Sequence, residues 1–107
     1  MIIPEITCQE LQSEIAEGRS LVLLDVREED ELALSCLTGI THIPMNQIPM
    51  RLDELDHDAE IVVICRVGAR SGRVAEYLLS QGRARVRNLV GGMNEWVRSI
   101  DSSMTIY

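Results

Sequence analysis

The stretch from Ile61 to Val90 limits the possible folds more than any other part of the chain. It opens with Ile61-Val62-Val63-Ile64, a continuous apolar run of the kind a strand shows when both its faces are buried. Within Ser71 to Ser80, residues Val74, Ala75, Leu78 and Leu79 recur at helical spacing, and Gly82 stands where such a helix would stop. Val86 to Val90 reads as a further strand. Strand, loop, helix and strand in that order make a βαβ unit, which forces a right-handed crossover and parallel pairing. The expected class is α/β, with a mostly parallel central sheet flanked by helices.

Other segments extend that plan. Leu21 to Val26, broken only by Asp25, repeats the pattern of a strand buried on both faces. Thr7-Cys8-Gln9-Glu10 has capping-box spacing, and Leu11 with Ile15 gives the apolar face of a short helix ended near Gly18. A weaker helical pattern covers Glu28 to Leu34, an extended piece Thr41 to Ile43, and a helical turn Met50 to Leu55 after Pro49. Asn94 to Ile100, with Trp96, Val97 and Ile100 on one face, forms the last helix. No repeat, low-complexity tract or linker divides the chain, so residues 1–107 are expected to fold as a single domain.

Charge and composition remove several functions. With 10 Lys plus Arg against 17 Asp plus Glu, the net charge of -7 disfavours non-specific binding to nucleic acid or anionic lipid, so any basic site must be local. Aromatic residues are 3% of the chain and Phe is absent, which removes base stacking. No apolar run reaches the length of a membrane helix, and Met1 to Glu5 does not resemble a signal peptide; a cytoplasmic protein is expected. Cys8, Cys36 and Cys65 cannot all pair and lack zinc-type spacing, which favours reduced thiols and no metal site.

The chemistry concentrates in Cys65-Arg66-Val67-Gly68-Ala69-Arg70-Ser71. A thiol at the carboxyl end of a buried strand lies where open α/β sheets bind ligands. Consecutive N–H groups of a tight loop can converge there on an anion, and the helix after it adds its positive end. Gly68 permits the turn, and Arg66 and Arg70 add cations. Such a cradle favours the thiolate, the nucleophilic form of cysteine. Arg66, Arg70 and Arg73 share this stretch with no carboxylate, so the negative net charge is expected to describe the outer surface rather than the site.

Here the chain resembles the rhodanese-like sulfurtransferases. The resemblance rests on Leu24-Asp25-Val26-Arg27-Glu28, Gly39 followed by Ile43-Pro44, the loop Cys65 to Ser71, and Asn88 to Trp96 with its Gly91-Gly92 pair. It implies a three-layer fold in which Cys65 accepts a sulfane sulfur, becomes a persulfide, and passes the sulfur to a thiol or cyanide. It further implies an anionic donor such as thiosulfate, and an acceptor such as a thioredoxin-like or sulfur-carrier protein. No metal or organic cofactor is required. Arg66 leans toward a dianionic donor, Val67 stands where a second cation often sits, and protein persulfides stay open as donors. Cys36 occupies the place of a histidine that many members carry.

Two other readings stand beside this one. A non-catalytic binding or redox-sensing module could keep the same loop. Phosphatases and arsenate reductases of similar fold hold their oxyanion in a longer C-x5-R loop, whereas Cys65 to Arg70 is C-x4-R, a ring better sized for sulfur. Asp25 and Arg27 are expected to brace the loop and sheet. The acidic run Glu28 to Glu31 and the alternating Arg83, Arg85 and Arg87 read as solvated faces, and His42 and His57 as surface or turn residues. With no second domain to cover it, the mouth over Cys65 is expected to admit a protein thiol.

Overall fold

A strand with no polar residue needs an apolar layer on each side, and Ile61–Ile64 has both. In the computed structural model, which describes residues 2–107, the elements in chain order are β1 (Glu5–Ile6), α1 (Cys8–Ala16), β2 (Val22–Asp25), α2 (Glu29–Leu32) and β3 (Thr41–His42). Two 3-10 segments follow, Met45–Gln47 and Pro49–Glu54, and then β4 (Ile61–Ile64), α3 (Ala69–Ser80), β5 (Val86–Leu89) and α4 (Gly92–Ser99). The five strands form one sheet in the order β1-β5-β4-β2-β3, and every pairing is parallel. Among the described residues, no helix is long and apolar enough to cross a membrane.

The core lies in two layers, divided by the alternation of side chains along each strand. Ile61, Val63 and Cys65 join Leu24 and Val86 against Val74, Ala75 and Leu78 of α3, with Ile43 and Ile48 beside them. On the other face, Val62 and Ile64 join Leu23 and Leu89 against Cys8 and Leu11 of α1 and Met93 and Trp96 of α4. This is the expected three-layer α/β arrangement. Register sets the site: Asp25 stands beside Ile64, and Asn88 beside Val63, so both lie next to the strand end that carries Cys65.

Several boundaries differ from the sequence expectation for local reasons. Helix α3 begins at Ala69 rather than Ser71, because Gly68 takes a left-handed conformation (φ +106°) that turns the loop directly into the helix. The Gly72 N–H then bonds the Gly68 carbonyl at 3.1 Å. Helix α4 likewise starts two residues early, at Gly92. The capping box at Thr7 forms as expected, but Ile15 stays 43% exposed and α1 buries only Cys8 and Leu11. Strand β1 is too short to leave a periodic signal; the Pro4 and Ile6 carbonyls place it by accepting from the N–H groups of Asn88 and Val90.

Candidate active site

Strand β4 delivers Cys65 to the carboxyl edge of the sheet, and α4 fixes the loop that follows. The Met93 N–H donates to the Cys65 carbonyl at 2.8 Å, and the Asn94 N–H to the Arg66 carbonyl at 3.0 Å. In a trans peptide the N–H points opposite to the C=O, so these two bonds turn the N–H groups of Arg66 and Val67 away from α4. Gly92 makes the approach possible. A Cβ there would stand 2.4 Å from the Cys65 carbonyl oxygen and 2.6 Å from the Arg66 carbonyl. The N–H groups of Arg66, Val67, Ala69, Arg70 and Ser71 have no hydrogen-bond partner among the described residues. They belong to the loop and the first turn of α3, where the helix leaves its N–H groups unpaired and its dipole is positive.

The Cys65 sulfur lies inside this ring. It accepts from the Gly68 N–H at 3.1 Å and is 3.2 Å from the Ser71 hydroxyl. Ser71 Oγ donates in turn to Asn88 Oδ1 at 2.5 Å, and Asn88 Nδ2 donates to the Gly68 carbonyl at 3.1 Å. Cys65 keeps 1% of its surface exposed, which corrects the expectation of a mouth wide enough for a protein thiol to reach Cys65 itself. Val67, at the loop's outer edge, is 52% exposed.

The expected basic cradle is modified by two residues distant in sequence. Arg70 is held by a two-pronged pair with Glu31, at 2.8 and 2.7 Å, and Glu31 also accepts from the Tyr107 hydroxyl at 2.8 Å. The Arg70 hydrogen bonds hold the Glu31 carboxyl well below the usual carboxylate range, at about 2. Glu31 is thus not part of a solvated acidic run; α2 carries it to the loop. Arg66 donates to the Tyr107 backbone oxygen, and its guanidinium lies 5.3 Å from the centre of the Tyr107 ring. Both loop cations therefore have partners, and Glu31 supplies the site with the carboxylate that the Cys65–Arg73 segment lacks.

Asp25 and Arg27 brace this arrangement from below. They form an ion pair of 2.7 Å with both side chains fully buried, and Arg27 also donates to the Ser35 carbonyl at 2.7 Å, the Tyr107 hydroxyl at 3.0 Å and the Glu31 carbonyl at 3.3 Å. Neither side chain hydrogen-bonds Cys65. Their contacts hold α2, and with it Glu31, against the sheet.

Other sequence candidates lie elsewhere. His42 Nε2 sits 2.7 Å from the Arg27 carbonyl, and His57 lies beside Arg83. Cys36 is half-buried and donates to the Leu37 carbonyl at 3.3 Å; burial pushes its thiol up. The three arginines do not form a solvated face. Arg83 is buried and caps the carbonyls of Leu52 and Leu55, while Arg85 pairs with Glu60, and Arg87 with Glu14. Glu31, Asn88 and Tyr107 had no functional signal of their own. Asn88 stood inside the segment carrying the resemblance, Glu31 was one of several neighbouring acids, and nothing marked Tyr107.

A parallel sheet whose central strand leads into a cysteine, beside unpaired loop N–H groups and the start of a helix, defines an α/β protein with a thiol at an anion-binding edge. The model of the rhodanese-like domain matches residues 7–99, and the chain belongs to this family of sulfurtransferases. It is 36% identical over 97 residues to a sulfurtransferase of Allochromatium vinosum, covering 91% of each chain. It is 43% identical over 96 residues to the putative sulfurtransferase YtwF of Bacillus subtilis, covering 90% of this chain and 92% of that protein. The crystal structure of SSP1007 from Staphylococcus saprophyticus superposes with a TM-score of 0.84 at 32% identity, over 95% of this chain and 98% of that one.

Proposed function

We propose that residues 1–107 act as a single rhodanese domain that transfers sulfane sulfur through a persulfide on Cys65. The observation that carries this reading is the buried Cys65 sulfur inside a ring of unpaired loop N–H groups. The Cys65 thiolate attacks the outer sulfur of a donor such as thiosulfate. A bond forms between Sγ and that sulfur while the donor's sulfur–sulfur bond breaks, and sulfite leaves with the electron pair. The transferred sulfur now carries the negative charge, and the N–H groups of Arg66, Val67, Ala69, Arg70 and Ser71 stabilise it. A thiolate acceptor or cyanide then attacks the outer sulfur and returns the electron pair to Cys65.

The depth of Cys65 fits this sequence of steps. A persulfide adds one sulfur–sulfur bond, about 2.05 Å, beyond Sγ, so the atom that reacts with an acceptor stands farther out than the cysteine does. An acceptor of the thioredoxin-like or sulfur-carrier kind needs to reach only that atom. Because Arg70 is already paired with Glu31 and Arg66 is turned onto Tyr107, the backbone is the main source of charge stabilisation, with Asp25 and Arg27 supporting it from a distance. Free Cys8, Cys36 and Cys65 suit a reducing cytoplasm.

Thiocyanate formation from thiosulfate and cyanide tests the assignment. The wild-type chain is expected to turn over, and Cys65→Ser to be inactive while keeping the same unfolding transition. Turnover retained by Cys65→Ser would remove Cys65 from the role.

A further inference from the structure

We propose that Asn88 is a positioning residue for this reaction: it sets where the Ser71 hydroxyl proton points, and so biases Cys65 toward its sulfur-loaded form. The proposal rests on the sulfur-transfer reading above and assigns a role to a side chain that does not touch the sulfur.

The geometry leaves little freedom. Asn88 is 8% exposed, at the end of β5 beside Val63. Its Nδ2 faces the Gly68 carbonyl, which can only accept, so the amide cannot be flipped without setting two oxygens against each other. Oδ1 therefore faces Ser71, and it too can only accept. The single proton of the Ser71 hydroxyl is committed to Asn88 at 2.5 Å, which leaves a lone pair of Oγ directed at Cys65 Sγ, 3.2 Å away.

That orientation suits two of the three states of Cys65. A thiol donates its S–H to Ser71 Oγ. In the persulfide, Sγ is bonded to carbon and sulfur, carries no charge, and asks for no proton. The thiolate, which exists before loading and again after the acceptor takes the outer sulfur, already accepts from the Gly68 N–H and calls for the reverse arrangement at Ser71, with a second donor facing Sγ. Ser71 meets that need by rotating its O–H from Asn88 to Sγ, and the buried Asn88 Oδ1 then loses its partner. No proton changes owner; one hydrogen bond is exchanged for another. Asn88 thereby makes the unloaded thiolate costlier than the persulfide and pulls sulfur from donor onto Cys65. Arg66 from the loop, Arg70 and Arg73 from α3, Glu31 from α2, Glu95 from α4 and the Asp25–Arg27 pair from β2 and its following turn carry charge near the loop, and none hydrogen-bonds Asn88.

The test is alkylation of Cys65 by iodoacetamide across pH, read on the Cys65 peptide, in wild type, Asn88→Ala, the volume-preserving Asn88→Leu, Ser71→Ala, and both Asn88 changes combined with Ser71→Ala. Freed from Asn88, Ser71 can donate to the thiolate. Cys65 alkylation at mildly acidic pH is expected to rise about fivefold in both Asn88 variants, the worth of one hydrogen bond. The same changes are expected to do nothing further once Ser71 is alanine. No rise, or an equal rise without the Ser71 hydroxyl, overturns the proposal, and either Asn88 variant that keeps the wild-type unfolding transition suffices to decide. In a parallel arm, run at a pH where alkylation has reached its plateau and unloaded Cys65 is thiolate, the ratio of persulfide to unloaded Cys65 at fixed thiosulfate and sulfite is expected to fall about fivefold in the Asn88 variants. A wild-type chain that takes up no sulfur removes the parent reading, while the alkylation arm still decides whether Asn88 orients Ser71.

Discussion

A Cβ on Gly92 would lie 2.4 Å from the Cys65 carbonyl oxygen, and its φ of +59° disfavours any side chain. Gly92→Ala is expected to cost about 3 kcal/mol in unfolding free energy and to slow sulfur loading more than that loss explains, because the loop peptides lose their anchor on α4. Chemical denaturation alongside single-turnover loading measures both effects. The fully buried Asp25–Arg27 pair gives a second expectation. Asp25→Ala should destabilise by about 3–5 kcal/mol by leaving a buried guanidinium without its counter-charge, and pairing Asp25→Leu with Arg27→Met should recover part of that loss in the same assay. At this scale Cys65 and its loop were legible because the whole motif is contiguous. Glu31, Asn88 and Tyr107 were not, because each gains its meaning only from a partner brought close by the fold.

At the scale of elements, short α2 does more than close a turn: it presents Glu31 to Arg70 at the start of α3. The depressed Glu31 carboxyl, at about 2, means that the pair contributes stability that is complete above the ordinary carboxylate value and is lost as pH falls through the folded value. Wild-type unfolding free energy should therefore decline as pH drops from about 4.5 toward 2, and Glu31→Gln should decline less steeply over that window. An identical slope in the two proteins would contradict the pairing. The long apolar strands and α3 were readable from periodicity. Strand β1 was not, since its position follows from pairing with β5, and the early starts of α3 and α4 follow from glycines at positive φ rather than from apolar spacing.

For the whole molecule, the order β1-β5-β4-β2-β3 puts the cysteine strand in the centre, covered on both faces, which the unbroken apolar run Ile61–Ile64 foretold. The net charge of -7 was expected to spare the site, yet the fold brings Glu31 in to pair with Arg70. Pairing with Glu31 leaves the loop less uncompensated positive charge than its sequence suggests, and the net charge repels an anionic donor at long range. Thiosulfate loading should speed up, rather than slow down, as a weakly binding salt is added, since screening weakens that repulsion. Stopped-flow loading over a range of ionic strength reads the sign. Whether Cys65 carries transferred sulfur is read by intact-mass measurement after incubation with thiosulfate and removal of the donor. One added sulfur is expected on the wild-type chain, removable by cyanide, and none on Cys65→Ser; an unmodified wild-type chain, or equal uptake by Cys65→Ser, would rule out Cys65 as the carrier.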